Sequence, residues 1–309
     1  MTQPVVLISH EMLSPMERML AAQGWRVARR WDLSEADRVE VQAIVHAGEH
    51  VLDPEFLLSL PRLGLIAHVS VGYDGVDVPW CRAHGIEVTH AKGLNADDVA
   101  DHAMGLILAS WRSIVRGDRF LRAGNWRPGQ RMPPQTSLGG RKLGVVGLGA
   151  IGEAVARRGE AFRMEVSWWG PRAKPAAWPR AESLLALAEA SDILVVANRA
   201  DESTRGMISQ AVIEAVGPNG LIVNVSRGQV IDEDALVAAL KDGRLGRAAL
   251  DVYVEEPTPA GRWADLDNAV VTPHMAGTTT DSIPKMVAQA IENVRSFLAG
   301  EPALSPVAA

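Results

Sequence analysis

The stretch KLGVVGLGAIGEAVARRGEAF, residues 142–162, reads as a strand, a glycine turn and a helix in immediate succession. Its first five residues hold the apolar run of a buried strand. From Ala150 onward, small and apolar side chains recur at helical spacing. Between the two stand Gly147, Gly149 and Gly152, in the order Gly-x-Gly-x-x-Gly. That spacing alone is a weak signal, because many βα turns are rich in glycine. Placed between a strand and a helix it has a physical purpose. Gly147 permits the tight turn, Gly149 lets backbone approach a pyrophosphate, and Gly152 lets the helix pack closely on the strand. The helix N-terminus then faces the anion. Gly147, Leu148, Gly149, Ala150, Ile151 and Gly152 are therefore the expected phosphate-binding residues of a dinucleotide site.

Outward from this stretch, short β-branched runs alternate with helical patterns almost throughout, which predicts βαβ units around parallel sheets. Upstream lie VVLIS (5–9), a helix near 13–23, AIVHA (43–47), LIAHVS (65–70) and EVTHA (87–91). Downstream lie EVSWWG (165–170), DILVVA (192–197), GLIVNVS (220–226), RAALDVY (247–253) and AVVTPH (269–274). Between the two sets, residues 96–124 predict one long amphipathic helix with Val99, Ala103, Leu106, Ile107 and Ile114 on one face. Asn95 suits its N-cap, Asp97 and Asp98 its first turn, and Gly124 its stop. The Pro- and Gly-rich residues 125–140 read as a crossing, and a last helix is expected over about 281–299. The fold class is α/β, with two doubly wound parallel-sheet domains.

Composition bounds the function. The chain has 309 residues, 47% of them hydrophobic, and a formal charge of -6 with no long basic run, which argues against a nucleic-acid surface. Arg26, Arg29 and Arg30 read as the solvated side of an edge element. Cys81 is the single cysteine, read as a buried or half-buried structural thiol in a reducing compartment. The N-terminus lacks a signal-peptide pattern, and no apolar run reaches the ~20 residues that span a bilayer. No membrane association is expected, and a cytoplasmic location is. His46 and His50 have i, i+4 spacing but no evident third ligand, so they read as a surface or loop pair and no metal is expected.

Three polar groups fall at the carboxyl ends of predicted strands, where open α/β sheets place their ligands. They are Arg227 after GLIVNVS, Glu256 after RAALDVYVE, and His274 at the end of AVVTPH. Singly, each has an ordinary reading: a surface cation, a loop acid, a hydrogen-bonded histidine. Together, downstream of the glycine turn, they favour catalysis.

GLGAIG, NVSRG, DVYVEEP and TPHMAG, in that order, resemble the D-isomer specific 2-hydroxyacid dehydrogenases, and VSVGYDGVDV (69–78) and DDVADHAMGLIL (97–108) extend the resemblance over nearly the whole chain. Within that family the sequence looks most like the glyoxylate/hydroxypyruvate reductases. The resemblance implies a Rossmann-type dinucleotide-binding domain over 98–282. It implies a flavodoxin-like substrate domain over 1–97 and 283–309. It makes His274 the general acid that protonates the developing alkoxide, Glu256 its orienting partner, and Arg227 the fork that binds the carboxylate and keto oxygen. Backbone amides around Val71 and Gly72 would hold the carboxylate of a small 2-keto acid. Val225, Ser226, Asp251, Ala276 and Gly277 would line the cofactor together with Arg227 and His274. A homodimer is expected, from family pairing and from Met104, Ile107, Leu108 and Trp111, which exceed one buried stripe. Scaffolds of the same fold that sense dinucleotides, like corepressors, are the rival from another class, and bulkier aromatic 2-keto acids are the rival substrates. Trp80, Trp126 and Trp263 could line a pocket, though core positions are the commoner use.

The cofactor's identity is argued from EVSWWGPRAK, 165–174. An acid ~20 residues beyond the glycines ordinarily binds the ribose 2′-hydroxyl of NAD. That place falls on Gly170, and no carboxylate follows until Glu182. Gly170 removes the repulsion that an acid would exert on a 2′-phosphate, and Arg172 offers a charge-assisted grip on it. Lys174 is the expected second cation. NADP(H) is thus expected to be preferred, with NAD(H) still usable.

Overall fold

The computed structural model describes residues 3–48 and 50–307. The chain separates into two compact units, Met1–Asn95 with Thr280–Ala309, and Ala96–Thr279.

In the first unit, five strands form a parallel sheet: β1 (Val5–Ile8), β2 (Arg26–Arg29), β3 (Val41–His46), β4 (Leu65–His68) and β5 (Glu87–Thr89), in the order β2-β1-β3-β4-β5. This is the flavodoxin-like order. The strands are apolar on both faces because both are covered. Val5, Leu7, Ile44, Ile66 and Val88 face one core with α3 (Pro54–Leu58) and α4 (Val78–Ala83). Val6, Ile8, Ala43, Val45 and Leu65 face the other, with Leu20 of α1 (Glu17–Ala21). A short α2 (Glu35–Arg38) precedes β3, its Ser34 cap accepting from the Asp37 amide. Arg26 and Arg29 lie on the edge strand and pair with Asp37 and Glu17, while Arg30 pairs with Asp53.

The second unit opens with α5 (Ala96–Trp111) and α6 (Ile114–Arg122), not with one continuous helix. Ser113 adopts φ +52°, which ends the α-helical ladder and redirects the chain. Asn95 does not cap α5 through its oxygen, since Oδ1 is buried and accepts no hydrogen bond among the described residues. Residues 123–141 hold no helix or strand. Six parallel strands follow: β6 (Lys142–Val146), β7 (Glu165–Trp169), β8 (Ile193–Val196), β9 (Leu221–Asn224), β10 (Arg247–Leu250) and β11 (Ala269–Val271), in the order β11-β10-β9-β8-β6-β7.

A single bridge joins Trp168 to Arg180 outside β7, with hydrogen bonds from Trp168 N to Pro179 O (3.0 Å) and from Ala181 N to Trp168 O (2.8 Å). Counting that remnant as the third strand gives the order 3-2-1-4-5-6-7, the Rossmann order 3-2-1-4-5-6 with β11 added at the far edge. Helix α7 (Ala150–Ala161) joins α5 on one face, and α8 (Leu184–Glu189), α9 (Gln210–Val216) and α10 (Glu233–Asp242) cover the other. The chain then returns to the first unit, where Ile291 and Val294 of α11 (Ser282–Leu298) cover the β3–β4 face.

Some side chains lie elsewhere than the sequence suggests, while Cys81, Trp80 and Trp263 take the core positions it favoured. His46 is no surface group: it is fully buried at the end of β3, its Nδ1 2.7 Å from Ser9 Oγ and its Nε2 2.9 Å from His50 O. Met104, Ile107 and Trp111 are buried inside the second unit's own core, so they offer no spare apolar face. Trp80 packs on the first core, Trp263 is buried against Tyr253, and Trp126 is exposed. Cys81 is fully buried, and burial pushes its thiol up to about 11. Among the described residues no helix is long and apolar enough to cross a membrane, and no cluster of His, Cys, Asp or Glu could hold a metal.

Candidate active site

The second unit gathers most of the expected residues at the carboxyl ends of its strands. After β6 the chain turns at Gly147, which has φ +87° and whose amide bonds to Trp169 O at 2.8 Å. A Cβ on Gly152 would lie 2.0 Å from Gly147 O, so only glycine lets α7 come this close. Gly149 is the N-cap of α7, supplies no side-chain cap and has open space around it. The first turn of α7 therefore presents uncapped N–H groups beside room for a phosphate, and the residues fit a dinucleotide's pyrophosphate.

At the end of β9, Val225 and Ser226 are buried, and Asn224 holds the following turn. Its Oδ1 accepts from Ser226 N (3.0 Å), and its Nδ2 donates to Arg227 O (3.0 Å). Arg227 Nη1 bonds back to Ser226 O at 2.9 Å. Ser226 Oγ reaches Asn198 O at 2.5 Å, and Asn198 abuts the glycine turn. Asn198 and Asn224 went unread in the sequence because amides inside apolar strand ends carry no periodic signal.

After β11, His274 adopts φ +48°. Its Nδ1 lies 2.6 Å from Glu256 Oε2, and Glu256 Oε1 accepts from Tyr253 N at 2.9 Å. Burial alone would raise the Glu256 carboxyl. The hydrogen bonds from His274 and the Tyr253 amide, with the charges of His274 and Arg227, outweigh it and hold the group below its ordinary range.

Asp251 lies beneath the loop that carries His274. It is buried, and its carboxylate accepts from Thr272 Oγ1 (2.6 Å), Met275 N (3.0 Å) and Ala276 N (2.8 Å). Its acceptors are taken up beneath the His274 loop, so it shapes that loop. Burial opposes ionisation there too, but these bonds and His102, 3.4 Å away on α5, keep the carboxyl low.

At the end of β7, Gly170 is buried and Arg172 is exposed with no ion pair among the described residues. Lys174 is ion-paired with Glu153 of α7 at 2.5 Å, so its charge is already engaged. Arg180, which the sequence reading missed, donates to Gly170 O at 2.7 Å and lies over the Trp168 ring. Its strand remnant is too short to leave a pattern. In the first unit, Val71 and Gly72 occupy the loop after β4.

Residues 104–276 match the family model described as D-isomer specific 2-hydroxyacid dehydrogenase, NAD binding domain. The chain belongs to the D-isomer specific 2-hydroxyacid dehydrogenases. The match lies wholly within the second unit, so this unit binds a nicotinamide dinucleotide. The glyoxylate/hydroxypyruvate reductase A of Arabidopsis thaliana is 36% identical over 92% of this chain and 90% of its own length. A 2-hydroxyacid dehydrogenase from Ketogulonicigenium vulgare superposes with a TM-score of 0.92 at 36% identity, covering 100% of this chain and 99% of that one. An NADPH-dependent glyoxylate/hydroxypyruvate reductase from Sinorhizobium meliloti, solved with NADP and malonate, gives a TM-score of 0.92 at 31% identity over 99% and 97%. The chain is thus an oxidoreductase of this family, acting on a small-molecule substrate.

Proposed function

We propose that this dehydrogenase is an NADPH-preferring reductase of small 2-keto acids, glyoxylate or hydroxypyruvate among them, yielding D-2-hydroxy acids. The observation that carries the reading is the 2.6 Å pair of His274 and Glu256 at a strand end of the dinucleotide-binding unit. When bound, the nicotinamide supplies the hydride to the keto carbon. Because Nδ1 faces a carboxylate held ionised, Nδ1 keeps its proton, and Nε2 is the atom that gives its proton to the developing alkoxide. Glu256 stabilises the imidazolium before that transfer. Arg227 binds the carboxylate and keto oxygen through the planar fork of its guanidinium. The first unit acts as the substrate-binding domain, with the amides of the Val71–Gly72 loop on the substrate carboxylate. Val225, Ser226, Ala276 and Gly277 line the cofactor.

Preference for NADPH rests on Gly170 and Arg172, and the Sinorhizobium relative is itself named NADPH-dependent. We expect kcat/KM for NADPH to exceed that for NADH by about tenfold or more, ~1.4 kcal/mol. Arg172→Ala should erode the ratio through KM for NADPH. It is a cleaner test than an acid at Gly170, where a Cβ would meet the Trp168 ring at 3.3 Å. Equal use of NADH by the wild-type enzyme would refute the preference.

A homodimer is also proposed, on different residues from those the sequence suggested. Ile114, Leu121 and Trp126 are exposed on and beyond α6, beside a cavity of about 620 Å³ lined by Phe120, Pro133 and Pro134. Self-association through this face would bury them. Sedimentation should give twice the chain mass at micromolar concentration, and a persistent monomer would overturn it. The one cysteine, buried and unpaired, suits a reducing cytoplasmic location.

A further inference from the structure

In the loop that follows β4 the carbonyl groups of Ser70, Val71 and Gly72 are tied down. Ser70 O accepts from Ala91 N at 2.9 Å, Val71 O lies 3.0 Å from His90 Nδ1, and Gly72 O accepts from Ser70 Oγ at 2.8 Å. A carbonyl oxygen can only accept, so His90 carries its proton on Nδ1. Ser70 Oγ is itself held, accepting from Gly48 N at 2.9 Å. Gly48 must be glycine here, because a Cβ would lie 1.9 Å from Gly72 O. The His90 ring is further set edge-on against Tyr73, 5.1 Å between centroids at 84°.

In a trans peptide the carbonyl and the following N–H point in opposite directions. Pinning the carbonyls of Ser70, Val71 and Gly72 therefore aims the amides of Val71, Gly72 and Tyr73 away from those anchors. The Val71 and Gly72 amides make no hydrogen bond among the described residues. Successive N–H groups presented in this way form a cradle for an anion.

We infer that Ser70 and His90 are positioning residues for the substrate carboxylate: they hold the peptide planes of residues 71–73 so that the amides, and not the carbonyls, meet it. The inference rests on the proposed role of this loop. Without Ser70 Oγ or the His90 donor, a peptide plane can rotate and present a carbonyl oxygen, which repels a carboxylate. The consequence falls on substrate binding, because the loop these side chains hold is the one proposed to meet the substrate carboxylate.

The test compares glyoxylate with its uncharged methyl ester in the wild type and in Ser70→Ala, His90→Leu and His90→Asn. Asn keeps a donor near the place of Nδ1, and Leu removes it. Ser70→Ala and His90→Leu should each raise KM for glyoxylate about tenfold while kcat, KM for NADPH and KM for the ester stay near wild type. His90→Asn should restore most of the loss. Unchanged glyoxylate KM in both variants, or an equal loss for acid and ester, overturns the inference; if Ser70→Ala does not fold, the His90 pair decides. A wild-type enzyme that fails to distinguish acid from ester would instead overturn the carboxylate role of the loop itself.

Discussion

His274 carries its imidazole on a left-handed backbone that costs a residue of this kind about 1–3 kcal/mol. What holds it there is local: its amide bonds to Asp251 O at 2.8 Å, and the Asp251 carboxylate takes the next two amides. A strained backbone held by a buried carboxylate fixes the ring against Glu256, and a proton donor needs that fixed geometry. His274→Ala should therefore lower kcat by roughly 10²–10⁴ while NADPH binding, followed by fluorescence titration, stays intact. Near-normal turnover would remove His274 from the mechanism. Glu256→Gln should cost less, about tenfold, since the amide oxygen can still accept from Nδ1 but the charge favouring the imidazolium is gone. The Glu256 carboxyl sits below its ordinary value, so its charge persists as pH falls through about 4, where an unperturbed carboxylate protonates.

Among the elements, those that repeat a pattern were legible and those that depend on one contact were not. The strand ends that carry Arg227, Glu256 and His274 could be read because each follows an apolar run, and so could the glycine turn. The break between α5 and α6 could not, because it hinges on one left-handed residue, Ser113, within a continuous amphipathic pattern. Nor could the Arg180 remnant, a strand of one bridge. The bonds that Asn198 makes to Ser226, Asp251 to Thr272, Met275 and Ala276, and His90 to Val71 act across sequence distances that no window sees. Helix ends offer a test of the same local logic. Arg163 follows the C-cap of α7 at φ +60°, with its amide on Glu160 O, the position where helices usually place glycine. The side chain is exposed, so Arg163→Gly removes the strain and little else. The gain should be about 0.5–1 kcal/mol after the extra chain entropy of glycine, raising Tm by roughly 2 °C. A fall in Tm would show that the arginine side chain makes a stabilising contribution that outweighs its backbone strain.

At the scale of the whole molecule, the two units should answer acid differently. His46 and His68 are buried in the first unit, at the ends of neighbouring strands, with rings 5.0 Å apart. Burial lowers His46 to about 4, and burial, then the neighbouring His46 and His90, lowers His68 well below its ordinary value. His68 has no hydrogen-bond partner on either ring nitrogen among the described residues, so a proton there would be a buried, unsolvated charge. In the unfolded chain both rings take up a proton below about 6.5. From there down to about 4 the unfolded state binds more protons than the folded one, and stability falls with pH, by up to ~1.4 kcal/mol per pH unit for each histidine. The second unit's sensitive groups lose stability in the same direction but over a lower pH window. Asp251 and Glu256 are depressed carboxyls, whose contribution is fully present above about 4 and is lost only as pH falls through their lower folded values. Between pH 6.5 and 4.5, hydrogen exchange, corrected for intrinsic rate, should therefore accelerate in β3 and β4 while β8 and β9 stay protected. His68→Leu, which removes the unpartnered ring, should flatten the response of the first unit and raise its stability at pH 5. Uniform loss of protection in both units over that window, or an unaltered response in His68→Leu, would mean that the buried histidines do not set the acid limit of the fold.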